Sequence, residues 1–173
     1  GTTYYAYYED VYTVKYLSGK TKEEVEKAKV YYVVTKTGIE EVVEEITIKN
    51  AEEIEGYTFI GYRKDSEIGE AEANPGDKVR IEGDTIYSAI YVSTFKITYK
   101  EEAEVINTPG EVSGTKYYIS RTREEVPYEL VLNNANEISK DGHVFVNWII
   151  NGTKYDAGER VKLSKETVVE AEW

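Results

Sequence analysis

The chain has 173 residues, 40% hydrophobic and 31% charged, with no Cys and no Met, and 33 acidic against 21 basic residues set its formal net charge at −12. That length suits one large or two small folded domains, and the composition is not that of a disordered chain. Lack of Cys excludes disulfides, thiolate chemistry and Cys-ligated zinc, the acidic balance makes nucleic acid and anionic membrane poor partners, and no apolar run reaches the roughly 20 residues of a bilayer-spanning helix.

In chain order, Tyr4-Tyr-Ala-Tyr-Tyr8 reads as a strand and leads at once into Val11-Tyr-Thr-Val-Lys-Tyr16, where alternation puts Tyr12, Val14 and Tyr16 on one side. Ser18-Gly19 is a turn, and Thr21-Lys-Glu-Glu24 has the spacing of a capping box before Val25 and Ala28, so a short helix is expected over 21–29. Tyr31-Tyr-Val-Val34 is a further strand. Ile39, Val42, Val43 and Ile46 have helical spacing, but the corresponding stretch Glu124-Glu-Val-Pro-Tyr-Glu-Leu-Val-Leu132 carries Pro127, which a helix interior rejects. A strand is therefore expected over 44–49, with room for a helical turn just before it.

Gly56-Tyr-Thr-Phe-Ile-Gly-Tyr62 precedes turns around Asn74-Pro-Gly-Asp77, the strand Lys78-Val-Arg-Ile81 and the strand Thr85-Ile-Tyr-Ser-Ala-Ile-Tyr91. Phe95-Lys-Ile-Thr-Tyr99 takes the place of Tyr12 to Tyr16, and 101–114 reads as loop before a strand at Tyr117-Tyr-Ile119. Gly142-His-Val-Phe-Val-Asn-Trp148 then matches the Gly56 stretch, and Asn151-Gly152 signals a two-residue hairpin. Arg160-Val-Lys-Leu163 and Thr167-Val-Val-Glu-Ala-Glu-Trp173 close the chain. The Thr-x-x-x-Ala-x-aromatic pattern starts at Thr2, Thr85 and Thr167, at intervals of 83 and 82 residues, which is an internal repeat. The expected organisation is residues 1–9 as the last strand of a preceding repeat, then modules at 10–91 and 92–173. With so short a linker, consecutive modules are expected to form a semi-rigid series. Starting at Gly1 and lacking Met, the chain reads as an excised fragment.

Gly56, Tyr57, Phe59, Gly61, Gly76, Asp84, Thr85, Tyr87 and Ala89 together resemble the internalin B-repeat family, also called Listeria–Bacteroides repeats, with Tyr62 and Tyr91 where the family has Trp. The second module keeps Gly142, Phe145, Trp148, Gly158, Thr167, Ala171 and Trp173, with His143 and Asn147 where the family has Tyr and Gly. The resemblance covers about the last 35 residues of each module, and the openings are similar to mucin-binding-type repeats. It implies an α+β, mainly β fold: two tandem β-grasp-like modules, each a small mixed sheet with at most one short helix. It further implies an extracellular or cell-wall-attached protein of a Gram-positive or gut bacterium, in which the modules are non-catalytic stalks or spacers that present other domains.

Candidate site residues are few. The repeat-defining set Gly56, Phe59, Tyr62, Ala89, Tyr91, Gly142, Phe145, Trp148, Ala171 and Trp173 is expected to build core and turns. Tyr4, Tyr5, Tyr7 and Tyr8 are the candidate ligand contacts, because a strand of tyrosines presents rings on both faces. The alternative function is adhesion to a host glycan or extracellular protein through them. His143 is the only histidine, so no Ser-His-Asp arrangement or zinc site is indicated. The Glu-Glu pairs read as solvated faces. No catalytic residue, cofactor or metal is expected, and the expected partners are neighbouring repeats.

Overall fold

The computed structural model describes residues 7–105 and 110–173, which are mainly β with a mixed sheet. They fall into two compact units. The first runs through Val92 and includes Tyr118–Glu124; the second comprises Ser93–Tyr117 and Glu125–Trp173.

The first unit contains β1 (Tyr7–Ser18), β2 (Lys22–Thr35), β3 (Gly38–Val43), β4 (Glu45–Thr47), β5 (Thr58–Arg63), β6 (Lys78–Arg80) and the first half of β7 (Thr85–Lys100). Its strand order is β3-β2-β1-β7-β5, with β4 and β6 paired separately. β1 and β2 are antiparallel along their whole shared length, whereas β1 and β7 are parallel, Val14 opposite Thr85 and Leu17 opposite Ser88. Parallel neighbours need a long crossover, and here β2 to β6 supply it.

The second unit takes the rest of β7, then β8 (Glu104–Val105), β9 (Glu111–Ile119), β10 (Glu124–Val126), β11 (Tyr128–Val131), a 3-10 turn at Ala135–Glu137, β12 (Ile138–Ser139), β13 (Asn147–Ile150), β14 (Thr153–Tyr155), β15 (Arg160–Leu163) and β16 (Thr167–Glu172). β16 runs parallel to β7, Thr167 opposite Ile97 and Val169 opposite Tyr99. β13 flanks β16 and β14 flanks β13, while β11 pairs with β15 and β12 with β8. Asn151 and Gly152 form the β13–β14 turn at φ 47° and 80°, the left-handed pair a two-residue hairpin demands.

The same pairs recur. Ile46 faces Val79 and Leu130 faces Val161; Tyr62 faces Ala89 and Trp148 faces Ala171. Ile48 N–H donates to Asp77 O at 2.8 Å and receives Gly76 N–H at 2.9 Å, and Leu132 makes the same two bonds with Glu159 and Gly158 at 2.9 and 3.0 Å. The N–H groups of Asn74 and Asp156 donate to the carboxylates of Asp77 and Glu159 at 2.9 and 2.8 Å. One core gathers Val14, Tyr16, Ala28, Ile46, Ile48, Tyr62, Tyr87 and Tyr91; the other gathers Ile97, Tyr99, Leu130, Leu132, Trp148, Val161 and Val169.

Three expectations are corrected. Residues 21–29 are not a helix: Lys22–Thr35 is one strand. Its twelve-residue ladder with β1 outweighs the capping-box spacing, and its inward side runs Glu24, Glu26, Ala28, Val30, with Lys49 3.5 Å from Glu26. No helical turn precedes β4, since Gly38–Val43 is a strand with Ile39 and Val42 exposed; the helical spacing arose from two strands in succession. The segment 101–114, read as loop, contains β8 and the start of β9. In addition, Thr85 to Tyr91 and Phe95 to Tyr99 are not two strands but the single β7.

Candidate functional site

The recurring aromatic residues form the densest chemistry in each unit, and the backbone explains how. Phe59 and Tyr62 are three apart, which on a regular strand sends side chains to opposite faces. A bulge between Phe59 and Gly61 adds the residue that returns both rings to one face. Gly61 is required there: its φ is 129°, and a Cβ would stand 2.2 Å from the Ala71 Cβ.

The Phe59 ring centroid lies 5.1 Å from that of Tyr62 and 5.7 Å from that of Tyr91, and Tyr62 lies 5.6 Å from Tyr16. In the second unit Phe145 lies 5.1 Å from Trp148 and 5.9 Å from Trp173, with Tyr99 5.1 Å from Trp148. Such tilted and edge-on pairs each contribute about 0.5–1.5 kcal/mol beyond the area they bury. Tyr62, Tyr91 and Trp148 are wholly buried. Their polar ends are largely committed: the Tyr91 hydroxyl accepts from Gly19 N–H at 2.7 Å and donates to the Glu52 carbonyl, and the Trp148 indole N–H donates to the Asn133 carbonyl at 2.9 Å. Burial pushes the Tyr99 hydroxyl up to about 12 and raises those of Tyr16, Tyr62, Tyr87 and Tyr91. These rings are packing groups.

Gly56 and Gly142 hold turns at φ 81° and 75°, and Ala89 and Ala171 are the small residues facing Tyr62 and Trp148. Of the candidate ligand contacts, Tyr4 and Tyr5 lie outside the described residues. Tyr7 and Tyr8 open β1 opposite Val33 and Tyr32, and for these two only the backbone is described. His143 is exposed, its Nδ1 2.8 Å from the Asp141 carbonyl oxygen. Among the described residues, no group of three or more His, Asp or Glu is arranged to hold a metal ion.

The first unit has a groove of about 690 Å³ lined by residues 51–59 and Tyr91. Glu52, Glu53 and Glu55 line it together with Tyr57 and Phe59. No family model matches the chain, and neither a curated protein nor a solved structure does. The groove is characterised by its own lining, three glutamates beside aromatic rings that already pack in the core.

One polar residue escaped sequence reasoning. Glu101 is 7% exposed, and its Oε1 has no hydrogen-bond partner among the described residues. Its backbone carbonyl takes the Trp173 indole N–H at 2.9 Å. Being the first of a Glu-Glu pair, it carries no local signal separating it from the solvated pairs.

Proposed function

We propose that the chain is two tandem copies of one β-grasp-like module. It acts as a non-catalytic, semi-rigid spacer that presents other domains of a secreted or cell-wall-attached bacterial protein. The observation that carries this reading is the recurrence of the closing-strand pairings: Tyr62 with Ala89 and Trp148 with Ala171, beside parallel ladders beginning at Val14 with Thr85 and Ile97 with Thr167. The resemblance to internalin B-repeats points the same way. Residues invested in aromatic packing and turns suit a module selected for shape.

Small-angle scattering on the 173-residue chain tests the reading. An elongated particle, its largest dimension close to two module lengths, is the expected result. A compact globule of the same mass would refute the spacer role.

A further inference from the structure

We infer that residues 32–35 of β2, with Ile39 beside them, form the seat for another copy of the same module, lying against the part of that copy that corresponds to residues 10–84. The inference rests on the tandem-module reading above and adds to it a surface and its occupant.

The precedent is inside the first unit, which is completed by Tyr118–Glu124. There Ser120 N–H donates to Ala89 O at 3.0 Å and its Oγ to Gly19 O at 2.8 Å. Arg121 N–H donates to Ser88 Oγ at 3.0 Å and its Nη1 to Lys64 O at 3.1 Å. The Tyr118 ring stands 6.1 Å from Tyr57 and 6.4 Å from Tyr91. Tyr118, Ile119 and Ser120 are only 8%, 5% and 6% exposed.

The counterpart of this segment follows from register. Ala28 pairs with Tyr12, and Gly114 sits against the ring of Phe95, the residue that takes the place of Tyr12. Gly114 thus matches Ala28 at an offset of 86 residues, and Tyr117-Tyr-Ile-Ser120 matches Tyr31-Tyr-Val-Val34. Yet Tyr32, Val33, Val34 and Thr35 are all partly exposed, and Ile39, opposite Val34, is 68% exposed. The same stretch of strand is buried in one place and only partly covered in the other. At the covered place the cover is a Gly19 turn, a Tyr57 ring and a Lys64 carbonyl. Another copy carries those same groups. A neighbour of unrelated chemistry would have no reason to match the Tyr-Tyr-aliphatic sequence that both stretches share.

The test compares the full 173-residue chain with the same chain preceded by a further copy of residues 10–84. In the extended chain the copy replaces Gly1, so that Thr2 follows an Asp84, as Thr85 does in its own unit. Amide hydrogen exchange is read at residues 32–35. The seat requires exchange there to slow by about tenfold or more in the extended chain. Val34→Lys is expected to restore the faster exchange in the extended chain while shifting the thermal midpoint of the unextended chain by only a few degrees. If the added copy is itself protected but residues 32–35 exchange as before, the seat is wrong and the tandem reading survives. If the added copy exchanges as an unfolded chain, the tandem reading fails and the seat fails with it.

Discussion

The Trp148 indole N–H donates to the Asn133 carbonyl at 2.9 Å, whereas Tyr62, which holds the same place opposite an alanine in the first unit, buries a hydroxyl with no hydrogen-bond partner among the described residues. The two rings fill equivalent volumes, but only one satisfies its polar end. A buried, unpaired hydroxyl costs about 1–3 kcal/mol relative to a solvated one. Tyr62→Phe is therefore expected to leave stability unchanged or raise it by about 1 kcal/mol. Trp148→Phe loses both ring volume and the bond to Asn133, and is expected to cost about 2–4 kcal/mol. Urea unfolding checks both: the midpoint moves in opposite directions with little change in slope. A large loss from Tyr62→Phe would show that the hydroxyl is doing something its surroundings do not reveal.

Two glycines separate conformational cost from steric cost. Gly56 has φ 81° and open space where a Cβ would be, while Gly61 combines φ 129° with a Cβ position 2.2 Å from Ala71 Cβ. Gly56→Ala is expected to cost about 1 kcal/mol, the strain of a left-handed L-residue. Gly61→Ala must also push Ala71 aside, so a cost of about 3 kcal/mol or more is expected. Equal losses in thermal or urea midpoints would refute the role assigned to the bulge.

How far the sequence revealed this fold depended on how local each signal was. The Asn151-Gly152 turn and the strands at Lys78, Arg160 and Thr167 were legible because φ preferences and period-two alternation act over a few residues. Lys22–Thr35 was not, since its strand state comes from a ladder with β1 that no local window contains. Glu24 and Glu26 on the inward side, near Lys49, further disguised the alternation. The aromatic core was legible as a recurring set. The covering of Ser120 and the burial of Glu101 were not, because both depend on distant backbone carbonyls or rings.

Alkaline pH should unfold the chain through its buried tyrosines. Burial raises the hydroxyls of Tyr16, Tyr62, Tyr87, Tyr91 and Tyr99 above the ordinary 10.0, Tyr99 to about 12. A group whose folded pKa is raised stabilises the fold fully below its unfolded pKa, and that contribution is lost as pH climbs through the folded value. The contribution of these tyrosines is thus expected to be constant below pH 10 and to be lost as pH climbs from 10 through about 12. Tyrosinate absorbance should rise in two steps, exposed rings first and buried rings together with the loss of near-ultraviolet circular dichroism. A single smooth titration near pH 10 with the fold intact would contradict the burial of these rings.

Ser120 and Val34 occupy matching positions with opposite demands. Ser120 is 6% exposed and its Oγ donates to Gly19 O at 2.8 Å, so a side chain without a hydroxyl leaves that carbonyl short of a donor in a buried place. Ser120→Val is expected to destabilise the first unit by about 1–2 kcal/mol. Val34 is partly exposed, and Val34→Ser removes only strand propensity and a little apolar contact, for about 0.5 kcal/mol. Hydrogen exchange resolves the difference within one chain. In Ser120→Val, amides near Gly19 and Ala89 should exchange faster while those of the second unit keep their rates. If instead Val34→Ser proves the more damaging, the partly exposed stretch is already contributing to stability, and the contrast between the two positions collapses.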